Sequence, residues 1–488
     1  MTDSAEPKAA SSRFTDENRW RVEQATRAAV VIDAEDYFRA AREAMLMAQK
    51  RVMLIGWDFD ARILLRGEPM ELGEPKAVGD FILWLVGRNP ALEVYLLRWD
   101  MGALKTLGRG STIWTTLKWM LHPRIHTKLD GAHPTGGSHH QKIVVVDDCF
   151  AFCGGIDMTS DRWDTRGHCD GDEGRIKPNG NPYGPWHDAT TALEGPAAAA
   201  LGELARDRWH RATAETLEPI AGVSDCWPPY LKPHFTDTPV AISRTVPKME
   251  GTKPVREIER LYLDLIGSAE RFIYAESQYF ASRRVAEAIS RRLKEPDGPE
   301  IVLINPLTAD GWLEPIAMDT ARARLFEALR RVDPRRRFRL YHPETQGGAP
   351  IYVHAKIMIV DDQVLRIGSS NMNNRSLGLD TECDVTFDSR HAPIDDMEAT
   401  IRSIRHGLIA EHLGREPDEV AARIEAEGGM IAAIEAIRGE GRTLVPYEVP
   451  DLNAVEKWLA DNEVLDPENP EEMFETTRAR GLFRRLRL

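Results

Sequence analysis

HHQKIVVVDDCFAFCGGID, residues 139–157, and HAKIMIVDDQVLRIGSSNMNNRS, residues 354–376, decide the reading of this chain. Each holds the pattern His-x-Lys-x-x-x-x-Asp, as His140/Lys142/Asp147 and as His354/Lys356/Asp361. A spacing of two on an extended chain sends His and Lys out of the same face. The apolar run behind each pair, Ile143–Val146 or Ile357–Val360, carries the strand into a core. A second strand returns and ends in small residues, Gly154–Gly155 or Gly368–Ser369–Ser370. Small residues there would let an anion approach the backbone closely.

The surrounding order is also repeated. In the first half a helix fits Ala34–Gln49, with Asp33 placed to cap it. A strand fits Val52–Trp57, a helix Val78–Gly87 and a strand Glu93–Arg98. In the second half a helix fits Val255–Gly267 and a strand Arg271–Ala275. A helix then fits Arg283–Lys294, capped by Ser282, and a strand Glu300–Asn305. Val52 lies 88 residues before His140, and Phe272 lies 82 before His354. Matching element order at matching spacing predicts an internal duplication. The fold class expected is α/β, a duplicated fold with two pseudo-symmetric, mixed, mostly parallel sheets flanked by helices.

The expected divisions are a flexible N-terminus over 1–25, a first half over 26–232, a second over 233–415 and a helical extension over 416–488. The Pro-rich stretch Cys226–Pro239 marks the boundary, because it cannot continue a helix or a central strand. The long connection Gly102–Ser138 suits a lid or substrate groove, with Leu117, Trp114 and Trp119 as candidate apolar lining.

The chain has 488 residues and a formal charge of −14. That length suits two domains or a duplicated one, and the acidic balance argues against a nucleic-acid partner. The first 20 residues do not read as a secretory signal. The most apolar run, Phe81–Val86, is far too short to cross a bilayer. Any membrane contact is expected to be peripheral, and the location cytoplasmic. The five cysteines (Cys149, Cys153, Cys169, Cys226, Cys383) predict no disulfide framework and a reducing compartment. Cys149, Cys153, His168 and Cys169 do not have zinc-knuckle spacing, so no metal is expected there.

Two imidazoles and two lysines suit phosphodiester chemistry. A neutral imidazole can attack phosphorus, and a protonated one can supply the leaving group with a proton. Two lysines can hold the non-bridging oxygens. One copy of the pattern supplies half of this set.

On these residues the sequence resembles the phospholipase D superfamily, from about residue 28 to about 415, and most closely its eukaryotic-type branch. The resemblance rests on VMLIGWDFD, the two His/Lys blocks, Pro185–Asp188 (PWHD), LEGPA, Tyr274–Phe280 (YAESQYF) and Glu411–Gly414 (EHLG). It implies His140 as nucleophile, His354 as general acid and later base, and Lys142 and Lys356 as phosphate holders. It also implies carboxylates that orient the opposite histidine, Glu382 for His140 and Asp188 for His354. Asn371, Ser369, Gly155 and Asp157 are implied at the substrate phosphate. Asp147 and Asp361 belong to the motif and are carried as catalytic residues of lower weight. Asp157 stands where some members have Asn, and Ser277 where Asn is usual.

The activity implied is cleavage or transfer of a phosphatidyl group, without cofactor or metal, on phospholipid at a membrane surface. A cardiolipin synthase-like transferase and a metal-independent nuclease are the alternatives. About 25 residues precede the resemblance, so no further lipid-binding module is expected ahead of it. Glu276 is as readily structural as catalytic. Trp57 and Trp186 read as core, and Arg335–Arg337 as a solvated face. The tail Leu482, Phe483, Arg484, Arg485 and Arg487 reads as a packed helix rather than a bilayer contact.

Overall fold

A computed structural model describes residues 12–66, 73–100, 117–249, 251–309, 318–391 and 396–450. Trp114 and the tail from 451 onward therefore lie outside the described residues.

The first half runs β1 (Arg21–Ile32), α1 (Ala34–Met47), β2 (Arg51–Gly56), α2 (Val78–Arg88), β3 (Glu93–Trp99), β4 (Ile125–Asp130), β5 (Ile143–Val146) and β6 (Phe150–Gly154). It closes with β7 (Trp186–His187), β8 (Ala189–Glu194) and α3 (Pro196–Thr213). The second half repeats this as β9 (Phe235–Val246), β10 (Val255–Arg256), α4 (Glu257–Ser268), β11 (Phe272–Glu276), α5 (Arg283–Lys294), β12 (Glu300–Ile304), α6 (Thr320–Arg331) and β13 (Phe338–Glu344). Then come β14 (Tyr352–Val353), β15 (Ile357–Val360), β16 (Val364–Gly368), β17 (Glu382–Asp388) and α7 (Met397–Leu413). Helices α8 (Pro417–Glu427) and α9 (Met430–Ile437) and strand β18 (Thr443–Pro446) follow.

The duplicated α/β fold is present, with two differences from expectation. First, the halves share one 16-stranded sheet, in the order β18-β13-β12-β11-β15-β16-β17-β9-β1-β8-β6-β5-β2-β3-β4, with β10 on β9. The seam is β1 against β9, antiparallel from Arg21↔Ile242 to Ala28↔Phe235. Second, parallel pairing in this sheet is confined to β2-β3-β4 and β11-β12-β13. The signature strands pair antiparallel instead, β2 with β5 and β5 with β6. The cause is local. Asp147–Asp148 and Asp361–Asp362 all take positive φ, between 52° and 60°. Aspartate tolerates that region better than most residues, so each pair turns the chain straight back.

The N-terminal boundary is also corrected. Residues 21–25 belong to the seam strand rather than to a loose arm. Pro239 sits within β9, opposite Gln24. The pairing of β17 reaches only Ala241, so the missing Pro239 N–H faces no ladder on that side. Asp33 does not cap α1 through its side chain, because its carboxylate is taken by the Asp188 N–H. Ser282 does cap α5, accepting from Val285 N.

One apolar core lies under α3, α7 and α9 and runs through both halves. Separate cores lie on the opposite face, under α1 and α2 in one half and under α4, α5 and α6 in the other. Cys149 and Cys226 form a disulfide with Cα atoms 6.1 Å apart, leaving Cys153, Cys169 and Cys383 as thiols. Cysteine use therefore no longer argues for a reducing compartment. No described helix is long and apolar enough to cross a membrane.

Candidate active site

Extended segments lead into β5 and β15, and each presents its His and Lys just before the strand begins. The His140 main chain donates to Thr381 O at 3.0 Å, across the seam. Its Nδ1 lies 3.0 Å from Ser369 O and 3.1 Å from both Glu382 oxygens. The His354 main chain donates to His187 O at 2.7 Å, and its Nδ1 is 2.7 Å from Asp188 Oδ2. Each histidine is therefore held by a carboxylate of the opposite half. In both cases Nδ1 is engaged, which leaves Nε2 as the other ring nitrogen for a reacting group.

The lysines are buried beside them. Lys142 Nζ donates to His140 O at 2.9 Å and pairs with Asp157 Oδ2 at 3.2 Å. Lys356 Nζ donates to His354 O and reaches Gln278 Oε1 at 3.5 Å. Asn371 Nδ2 shares that Gln278 oxygen at 3.4 Å, and Asn371 Oδ1 is buried without a hydrogen-bond partner.

Burial sets the charges. It pulls the His140 imidazole well below its ordinary value, aided by Lys142 and Lys356. It does the same to His354, aided by Lys356, Arg162 and Lys142. The Lys356 ammonium is brought down to about 7, mainly by burial. Burial raises both Glu382 and Asp188. A site this depleted of charge stability favours a ligand that brings negative charge between the lysines.

Several expected roles are corrected by geometry. The Asp147 carboxylate accepts the main-chain N–H groups of Gln49, Lys50 and Arg51 at 2.6 to 2.8 Å. Asp361 does the same for Glu270, Arg271 and Phe272 at 2.7 to 2.9 Å. Both stand past the far ends of β5 and β15 and pin the entry of the neighbouring strand, so neither is a catalytic residue. A Cβ at Gly155 would collide with the Asp188 carboxylate, so the glycine makes room for Asp188 rather than for phosphate. The Ser369 hydroxyl donates to Glu382 Oε2 at 2.5 Å, which occupies it as a positioner. Asp157 is the anionic partner of Lys142 and receives the Trp57 N–H at 3.1 Å; a carboxylate there would repel phosphate. Asn371 alone of the four expected phosphate residues offers a side-chain N–H donor, its Nδ2 lying 3.4 Å from Gln278 Oε1.

Asp361→Ala removes one acceptor from three main-chain donors. The expected result is destabilisation by about 3 kcal/mol or more, read as a lower denaturant midpoint, with turnover per folded molecule largely kept. A variant of normal stability and no turnover would return Asp361 to the chemistry.

Three further residues reach the site with no role expected of them there. Arg162 stacks on Trp186, 4.1 Å from the ring centre, and Trp186 lies 5.3 Å from the His354 ring. Trp186 also stacks on Tyr352 at 4.5 Å, so it is core and site wall at once. Gln278 lies inside the quoted YAESQYF, but nothing in its type marked it. Asp33 holds Asp188 through the main chain.

Behind Asp188 lies a buried ionic cluster. His187 Nδ1 is 2.7 Å from Glu411 Oε1 and 3.2 Å from Asp33 Oδ1, and its Nε2 is 2.7 Å from Glu276 Oε2. His168 Nε2 is 3.2 Å from Glu411, and His412 Nε2 is 3.1 Å from Glu276. Among the described residues, two groups could hold a divalent cation, Asp33 with His168, His187 and Glu411, and His187 with Glu276 and His412. Charge balance favours imidazolium ions instead. Burial opposes charge on His168, yet Asp33, Asp164 and Glu411 push it up to about 9, and the carboxylates around His187 raise it as well. Arg166 on Glu411 and Arg175 on Asp164 complete the balance. Glu276 is thus structural. The cysteine grouping considered from sequence does not form, since Cys149 is bound to Cys226. Of the Arg335–Arg337 run, Arg337 is spent on the main-chain oxygens of Leu293, Glu295 and Gly298.

The fold and site together define a duplicated α/β protein with one His/Lys pair from each half meeting across a shared sheet. Residues 262–404 match the family described as "Cardiolipin synthase, PLD-like domain". Phospholipase D A of Dictyostelium discoideum is 24% identical over 474 residues, covering 79% of this chain and 35% of the relative. Phospholipase D1 of Saccharomyces cerevisiae is 26% identical, covering 80% and 29%. Phospholipase D zeta 2 of Arabidopsis thaliana is 23% identical, covering 80% and 53%. The chain thus spans between about a third and a half of the length of these relatives. In structure it is similar to phosphatidylserine synthase of Haemophilus influenzae Rd KW20, with a TM-score of 0.54 at 13% identity, over 84% of this chain and 95% of that one. Residues 262–404 thus match a PLD-like domain, and about four-fifths of the chain is similar to proteins named phospholipase D.

Proposed function

We propose that the chain is a phospholipase D-type phosphodiesterase that transfers a phosphatidyl group first to His140 and then to water or an alcohol. The observation that carries this reading is the crossed pairing, His140 with Glu382 and His354 with Asp188. The neutral His140 Nε2 attacks phosphorus while Glu382 and Ser369 O hold Nδ1–H. The bond from phosphorus to the headgroup oxygen breaks, and His354 Nε2–H supplies its proton to that oxygen. Lys142, Lys356 and Asn371 hold the non-bridging oxygens. His354, now neutral, takes a proton from water, whose oxygen displaces His140. The products are phosphatidic acid and the free headgroup. An alcohol in place of water gives a new phospholipid.

The free site holds His354 neutral, yet the first step needs it charged. The substrate phosphate supplies the compensating negative charge on binding. Mass spectrometry of products from mixed phospholipids, with and without added ethanol, tests the reading. Phosphatidic acid alone, and phosphatidylethanol when ethanol is present, are expected. Intact lipid with cleaved DNA would contradict it.

The described match over residues 262–404 favours a second reading, a phosphatidyltransferase that uses a lipid headgroup as acceptor. Phosphatidylglycerol as sole substrate separates the two, giving cardiolipin in one case and phosphatidic acid in the other.

Lys356 provides a pH test. Its pKa of about 7 in the free site means that its charge is present below that pH and lost above it. Phosphate binding needs the charge, so kcat/KM is expected to fall as pH rises through about 7. Lys356→Arg keeps its charge at all these pH values and should move that limb upward, at a lower plateau. An unmoved limb would assign it to another group.

A further inference from the structure

We propose that the surface formed by Leu117, Met120, Leu121 and Leu129 seats the protein on a phospholipid bilayer carrying anionic lipid, with the site mouth facing the membrane. The proposal rests on the phosphatidyl reading above and identifies the partner that presents the substrate.

Among the described residues, seven large apolar side chains are exposed, and four of them gather here. Met120 is 67% exposed and Leu121 77%. The turn that carries them is anchored by Trp119. Trp119 is buried, donates from Nε1 to Gly79 O at 3.1 Å and packs against Phe59 with ring centres 5.6 Å apart. Leu129 projects from β4, the edge strand of the sheet. Apolar side chains held outward on a fixed platform mark a contact surface rather than a loose tip.

The electrostatics select the occupant. Residues 117–129 contain Lys118, Arg124 and Lys128 and no carboxylate, in a chain of net charge −14. Arg124 is spent on the main-chain oxygens of Val86, Asn89 and Leu92. Lys118 and Lys128 are exposed beside the apolar side chains. Apolar insertion flanked by lysine fits an anionic bilayer surface.

The patch also borders a cleft. Phe59, Leu96, Trp119, Met120 and Leu129 line a cleft of about 200 Å³, with Arg98 and Lys128 on its wall. A smaller cavity shares Phe59, Leu96 and Arg98 with that cleft and has Lys142 and Asp157 in its lining.

The test is vesicle sedimentation of the full chain and of a Met120→Asp/Leu121→Asp variant. The vesicles are phosphatidylcholine, with and without phosphatidylglycerol. Both side chains are exposed, so the melting temperature should not change, and turnover of the water-soluble bis(4-nitrophenyl) phosphate should be kept. The expected result is binding of the full chain to the anionic vesicles, weakened at least about tenfold in the variant. Lys118→Glu/Lys128→Glu should weaken binding to anionic vesicles only. Equal sedimentation of full chain and variant would overturn the proposal, as would a full chain that binds neither vesicle. A full-chain dimer split by the aspartates would assign the face to a second copy instead. Sedimentation reads the surface without turnover, so a failed phosphatidyl reading would show separately, as absent lipid products.

Discussion

His140→Asn is expected to lower turnover by about ten-thousand-fold or more while leaving the melting temperature within a few degrees. Asparagine fits the space of the imidazole and offers no nucleophile. The two lysines, Asn371 and the whole acid side of the site remain. The lost quantity is therefore kcat rather than affinity, and a lipid substrate should still bind. No other imidazole occupies an equivalent place, because His354 is fixed by Asp188 on the opposite side of the two-half site. A loss smaller than about a hundredfold would mean that attack on phosphorus does not run through His140.

His354→Ala should produce a different defect, visible only when the leaving group is varied. An alkoxide headgroup needs a proton as it departs, so turnover of a phospholipid should fall by about a thousandfold or more. A nitrophenolate leaves without one. With bis(4-nitrophenyl) phosphate the first step should therefore survive as a burst of about one nitrophenolate per site. The reaction then stalls, because no base remains to activate water against the His140 adduct. Loss of both phases with both substrates would contradict separate roles for the two histidines. A full second phase would remove His354 from the water step.

The signature was legible because its chemistry and its strand period coincide. His and Lys two apart, followed by four apolar residues, can only present a polar pair at the end of a buried strand. The flanking helices were legible for a similar reason. Arg283–Lys294 was bounded correctly because Ser282 caps it as its type suggests. Asp33 misled by the same logic. It stands where a cap belongs, but the Asp188 N–H from a distant segment claims its carboxylate.

The seam strand β1 was missed because RVEQATRAAVVI begins with polar and charged residues. Its N-terminal part reads as solvent-exposed chain until β9 is known to lie beside it. Gly155, Ser369 and Asp157 were assigned to phosphate because small and polar residues follow the signature. In the fold that room is filled by Asp188, Glu382 and Lys142, which no local pattern could foretell. The ionic cluster around His187 draws on β7, β11, α7 and the residue before α1. His187, Glu276, Glu411 and His412 sit in the quoted PWHD, YAESQYF and EHLG, but nothing local shows that they meet until the sheet brings them together.

The most direct test of the central claim is to trap the intermediate. His354→Ala should be mixed with bis(4-nitrophenyl) phosphate, denatured in alkali within the burst and digested for mass spectrometry. A nitrophenyl phosphate adduct on the His140 peptide, absent after His140→Asn/His354→Ala, is the predicted result. An adduct on any other residue, or a burst that leaves no adduct, would contradict a phosphohistidine built at one site from two halves.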